Sequence, residues 1–174
     1  MGGPGQILAD IFRTELDIGV IVVRLLVAAC LGLVIGIDRE YRNRSAGLRT
    51  HMLVSLAAAT FTVLTFVVMD QARNSDNADP IRIIEAVTAG VAFLAAGTII
   101  QSRGQVQGLT TGAGLWLAGA IGLASGLGEY AIAVIATALG LAILVLMSWV
   151  QQLFELGSGP DEGGPSEKPS AGKE

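Results

Sequence analysis

Four stretches of the chain, Ile18 to Ile37, His51 to Met69, Gly108 to Leu127 and Tyr130 to Val150, run for about twenty residues with Arg24 as their only Asp, Glu, Lys or Arg. A helix rises about 1.5 Å per residue, so roughly 20 apolar residues cross a hydrocarbon layer about 30 Å thick. A fifth stretch, Ile81 to Ile100, has the same length and carries Arg82 and Glu85. A soluble bundle would interrupt such runs with polar residues at the three-to-four spacing of an amphipathic helix, and these runs lack that spacing. With 52% hydrophobic and 15% charged residues, the composition agrees. The expected fold is an all-α integral membrane protein of five transmembrane helices.

Three segments follow. Residues 1–17 form an N-terminal interfacial segment, with Ile7, Leu8, Ile11, Phe12 and Leu16 on one helical face and Asp10, Arg13, Glu15 and Asp17 elsewhere. The start Met-Gly-Gly-Pro-Gly-Gln lacks the basic region of a signal peptide, so the first span is expected to be retained. Residues 18–156 hold the spans, and residues 157–174, rich in Gly, Ser, Pro and Glu, read as a disordered tail. Basic loops stay on the cytoplasmic side of a membrane. Arg39, Arg42, Arg44, Arg49 and Arg103 fall on one side with Lys168 and Lys173, whereas Arg13, Arg73 and Arg82 fall on the other among Asp10, Glu15, Asp17, Asp70, Asp76 and Asp79. The N-terminus is therefore expected outside and the C-terminus in the cytoplasm.

Sliding the sequence along itself by 61 positions brings Gly36 onto Gly97, Arg42 onto Arg103, and Gly47-Leu48-x-Thr50 onto Gly108-Leu109-x-Thr111. Helices one and two would then recur as helices three and four in the same orientation, a parallel repeat with helix five outside it. The same shift places Arg24 on Glu85. At 1.5 Å per residue both lie roughly 20 Å from the cytoplasmic ends of their spans. Opposite charges at matching depth invite a structural or functional ion pair, because an unpaired charge in lipid costs at least about 2.5 kcal/mol at the bilayer centre.

The densest polar segment runs from Asp38 through Arg39 and Glu40 to Gly47, Arg49, Thr50 and His51. Asp38 and Glu40 stand at the partially negative end of helix one, a setting that favours cations, and Mg²⁺ needs only one or two carboxylates beside its waters. Against this metal reading stands a plainer one, in which the acids pair with Arg39, Arg42 and Arg44 in a basic membrane anchor. The second cytoplasmic turn holds Arg103, Gly108, Thr110 and Thr111. Thr hydroxyls there are expected to cap backbone donors, with a shared anion-holding cavity between two helix N-termini as the alternative.

Gly32 with Gly36, Gly108 with Gly112 and Gly122 with Gly126 are small-residue pairs four apart, and Gly112, Gly119 and Gly126 recur every seven residues. They predict close helix packing within the chain or across a homodimer. Cys30 is expected to be a packed small side chain, and His51 an interfacial polar residue without zinc companions. No nucleophile motif, phosphate-binding loop or dinucleotide fingerprint occurs, so enzyme chemistry and a resident cofactor have no support. No basic patch suits nucleic acid.

The segments Gly36-Ile37-Asp38-Arg39-Glu40, Ala46-Gly47-Leu48-Arg49-Thr50-His51, Phe93-Leu94-Ala95-Ala96-Gly97 and Gly108-Leu109-Thr110-Thr111, the last leading to Leu115-Trp116, follow Arg24 in order. Together they resemble the MgtC/SapB family of bacterial inner-membrane proteins over about residues 20–150. Asp38 stands where that family usually has Glu, and Ala92 and Ala95 where Gly is common. Asp shortens the reach of the charge, and Ala tightens a helix contact. The resemblance implies the cytoplasmic (inner) membrane of a bacterium and a role in Mg²⁺ homeostasis or adaptation to low Mg²⁺, with survival inside host cells in some members. It also implies two competing mechanisms. One is regulation of another membrane protein, such as a transporter or the ATP synthase. The other is transport of Mg²⁺ or another cation along Asp38, Glu40 and Glu85. A cytosolic ACT-like domain, carried by many members after the fifth span, is not expected here.

Overall fold

A computed structural model describes residues 16–71, 81–102 and 105–157. The interfacial segment up to residue 15, most of the loop at residues 72–80, Arg103 and the tail from residue 158 lie outside the described residues. Among the described residues there are five helices and one hairpin: α1 (Ile18–Tyr41), α2 (Leu48–Gln71), α3 (Ile81–Gly97), β1 (Ile100–Ser102), β2 (Gln105–Gln107), α4 (Leu109–Leu127) and α5 (Tyr130–Gly157).

Helix α1 begins where expected, because the Asp17 carboxylate accepts the Gly19 backbone N–H at 2.7 Å and caps the first turn. It runs on through Asp38, Arg39 and Glu40 to Tyr41, so these residues occupy a helical turn and the connecting loop shrinks to residues 42–47. Helix α3 stops at Gly97, short of the expected Ile100. The β-branched run Thr98-Ile99-Ile100 is a poor helix former, the Thr98 hydroxyl turns back to the Ala95 carbonyl at 2.7 Å, and the chain enters an antiparallel hairpin pairing Ile100 with Gln107. Helix α5 continues past Val150 to Gly157, the residue at which the tail was expected to start.

Helices α1, α2, α4 and α5 are each long and apolar enough to cross a membrane. With 17 residues, α3 spans only about 25 Å. Large apolar side chains cover the exterior: Phe93 is 81% exposed, and Leu53, Phe61, Ile135, Leu146 and Trp149 are all exposed. Cys30 is exposed too, contrary to its expected packing, because α1 turns that face away from its neighbours. An apolar surface of this extent marks a membrane-facing wall.

The centre belongs to α4, which touches all four other helices and buries 11 of its 19 residues. Its glycines explain how. A Cβ on Gly122 would strike the Ser55 carbonyl and sit 2.8 Å from Ala58 Cβ, and one on Gly126 would lie 2.6 Å from Thr62 Cβ, so this edge of α4 lies against the backbone of α2. Gly119 meets Val91 at 2.9 Å and Gly112 meets the Ala95 carbonyl at 3.1 Å, which seats α3 on another edge. Gly32 and Gly36 of α1 meet His51, Ser55 and Leu48 of α2 in the same manner. The small-residue stripes are thus used inside one chain, and they supply no separate argument for a homodimer.

Candidate functional site

The α1–α2 turn, the hairpin end and the N-terminus of α4 converge at one end of the bundle, the end that carries Arg39, Arg42, Arg44 and Arg49. Asp38 and Glu40 lie two apart on α1 and so project from different faces. Asp38 Oδ1 accepts from Arg42 Nε at 2.8 Å, while Oδ2 is buried without a partner. Glu40 reaches over the turn, where its Oε2 accepts the Leu48 backbone N–H at 3.1 Å. That carboxylate fills the position a Cβ on Gly47 would take. Glu40 therefore acts as a remote N-cap for α2, placing negative charge at the positive end of a helix. Asp38 has the arginine partner of the plainer reading, whereas Glu40 pairs with a backbone N–H and not with an arginine. Among the described residues no group of three His, Cys, Asp or Glu side chains is placed to hold a metal.

The capping role of Glu40 carries a prediction. Glu40→Ala should lower stability by about 1 kcal/mol, and Glu40→Gln, which keeps an acceptor, by less. Thermal melts of the two variants in one detergent read the order directly, and equal loss in both would refute the cap.

Arg39 is 3% exposed. Its Nη2 donates to Thr111 Oγ1 at 3.4 Å, a long hydrogen bond, and its Nε has no partner. Thr111 thus serves α1 rather than capping α4, whose N-cap is Gly108 with no side-chain hydrogen bond. Gly108 adopts φ +88°, a left-handed conformation costly to any residue with a Cβ, and a Cβ there would also strike the Thr98 carbonyl. His51, expected at an exposed interface, is fully buried. Its Nδ1 donates to the Gly47 carbonyl at 2.9 Å, and its Nε2 points toward Gly114 with no partner. Arg49, Thr50 and Thr110 are exposed and Gly47 is half-buried. A cleft of about 550 Å³ lies beside the turn, lined by Glu40, Gly47, Leu48, Arg49 and Thr50.

At the opposite end the expected Arg24 to Glu85 pair is not formed. Arg24 Nη1 donates to the Gly126 carbonyl at 2.8 Å, and the guanidinium lies 5.1 Å from the Phe66 ring centroid. Glu85 is exposed on α3, which packs on α4 and α2 and not along α1. Matching depth did not bring the two helices together. Arg24 instead meets the C-terminus of α4, where carbonyls lack helical partners and the dipole is negative. Gly128, at φ +89°, ends that helix beside the guanidinium. In the sequence Gly126 is expected only to pack as a small-residue pair with Gly122, and nothing there points to Arg24.

The MgtC family model matches residues 25–153. The chain belongs to the MgtC family. It is 38% identical over 128 residues to protein MgtC of Brucella abortus, covering 74% of this chain and 51% of that one. Against protein MgtC of Salmonella typhimurium the identity is 37% over 126 residues, covering 72% and 52%. With YhiD of Escherichia coli K12, named as a candidate magnesium transporter, it is 34% over 137 residues, covering 78% and 63%. The chain spans about half the length of the MgtC proteins it matches. No solved structure matches it. Family membership and four membrane-length apolar helices make it a multi-pass membrane protein.

Proposed function

We propose that this chain is a regulator in Mg²⁺ homeostasis or adaptation to low Mg²⁺, acting in the bacterial inner membrane through contact with another membrane protein rather than as an enzyme. The observation that carries the reading is electrostatic. The buried cation between α1, α2 and α4 is Arg39, with His51 beside it, the half-buried Arg24 lies at the opposite end, and the neighbouring Asp38 carboxylate is engaged by Arg42. Glu85 faces outward, Glu40 caps α2 and Asp38 holds Arg42. A divalent cation crossing that interface would meet a guanidinium at each end, and the one carboxylate near Arg39, that of Asp38, is already engaged by Arg42. The broad apolar exterior leaves ample surface for helix contacts with a partner.

In this reading α3, although short, crosses as the fifth span, the N-terminus lies outside and the arginine-rich end lies in the cytoplasm. The repeat of α1–α2 as α3–α4 accounts for the glycine-led starts of α2 and α4. A transporter remains the second reading, favoured by the name that YhiD carries. Reconstituted in sealed liposomes with an internal Mg²⁺-sensitive dye, the protein is expected to add no saturable influx over empty vesicles. Saturable influx abolished by Asp38→Ala would reverse the assignment.

A further inference from the structure

Helices α2 and α4 start at the same end of the bundle, and both present the positive end of a helix dipole there. The start of α2 is compensated from within by the Glu40 carboxylate on the Leu48 N–H. In the 61-residue register Glu40 corresponds to Gln101, so the sequence supplies no equivalent carboxylate to α4. What abuts the first turn of α4 is Arg39, a cation, 3% exposed and anchored only by the 3.4 Å bond to Thr111. Among the described residues no carboxylate lies within ion-pair distance of it, and its Nε has no partner. Its own carbonyl accepts the backbone N–H of Arg44, which brings a further cation close. One turn along α4, fully buried His51 directs a second unpartnered nitrogen toward Gly114.

A buried, unpaired guanidinium is costly, and each buried polar atom without a partner calls for one. A guanidinium offers a planar fork of donors, a helix N-terminus offers backbone N–H groups, and Thr111 adds a hydroxyl. That donor set matches a tetrahedral oxyanion. Gly108 and Gly112 lie against the Thr98 and Ala95 carbonyls of the α3 end, and Gly114 lies against His51 Nε2, so these glycines bring α4 close to its neighbours around Arg39. The position, within a turn of three helix ends, is the depth of lipid headgroups, where arginine clusters attract anionic phosphates.

We propose that Arg39, Thr111 and the N-terminus of α4 form a binding site for a phosphate group, carried by a lipid headgroup or by a free phosphate. The full chain, delipidated in a neutral detergent, is melted with inorganic phosphate against chloride at equal ionic strength. It is also melted with dioleoylphosphatidate against dioleoylglycerol, which differ only in the phosphate. Saturable binding at 100 times the dissociation constant should raise the melting midpoint by about 5 °C or more. A rise with inorganic phosphate assigns a free anion. A rise with phosphatidate alone assigns a lipid.

In either case Arg39→Gln should lose the rise, and Thr111→Val, a near-isosteric change, should at least halve it. Arg42→Gln, altering the arginine paired with Asp38, should keep it. No rise with either phosphate compound overturns the site, as does a rise undiminished in Arg39→Gln. Should Arg39→Gln fail to fold, Thr111→Val decides, and an unchanged rise in that variant overturns the proposal.

Discussion

Gly122→Ala is expected to deplete the folded protein, although it adds a single methyl group. The added Cβ would overlap the Ser55 backbone carbonyl, which cannot rotate away, and would approach Ala58 Cβ to 2.8 Å. Relief requires α4 and α2 to separate along their length, which also pulls Gly126 off Thr62 and Ala59. Overpacking of a close-packed interior costs typically 1–3 kcal/mol, and a backbone-to-backbone contact belongs near or above the top of that range, about 3 kcal/mol. A chain of this size should lose roughly 6–12 °C in melting midpoint. Gly90→Ala is the internal control: nothing lies within 4 Å of its Cβ position, so that variant should melt no lower than wild type. Size-exclusion profiles and melts in one detergent compare the two, and equal behaviour would mean that α4 is not seated on α2 as described.

The second large effect concerns Arg24. Arg24→Gln should cost about 2 kcal/mol, the scale of a hydrogen bond from a charged donor, with the Phe66 contact adding to it. Glu85→Gln, on an exposed position, should stay within about 0.5 kcal/mol. The charge-swapped double variant, Arg24→Glu with Glu85→Arg, should be worse than either single change. A carboxylate would then face the Gly126 carbonyl at the negative end of α4. A partial recovery in the double variant would instead restore the ion pair inferred from matching depth. Melting midpoints of all four proteins discriminate the two arrangements.

Depth along a helix follows from counting residues, and Arg24 and Glu85 do lie on elements running in the same direction. Which helices are neighbours does not follow from counting. It depends on which faces are narrow enough for close approach, and α4, with glycines on two edges, takes the central place that keeps α3 away from α1. The same central helix explains Arg39 and His51. Arg39 is expected in a basic anchor and His51 as an interfacial polar residue, yet α4 covers both and turns them into buried groups with unused donors or acceptors.

What the sequence by itself determined was the solvent and the elements. Long runs with almost no charge require a membrane and place the start of α1 at Ile18, because hydration acts along the run itself, whereas the end of α3, expected at Ile100, comes at Gly97. The family motifs also located the arginine-rich end. Only the tertiary structure decided the partners: Glu40 with Leu48, Asp38 with Arg42, Arg39 with Thr111 and Arg24 with Gly126. Three of these four bonds join separate helices, and such contacts are set by backbone approach distances of a few ångströms, which the order of residues does not encode locally.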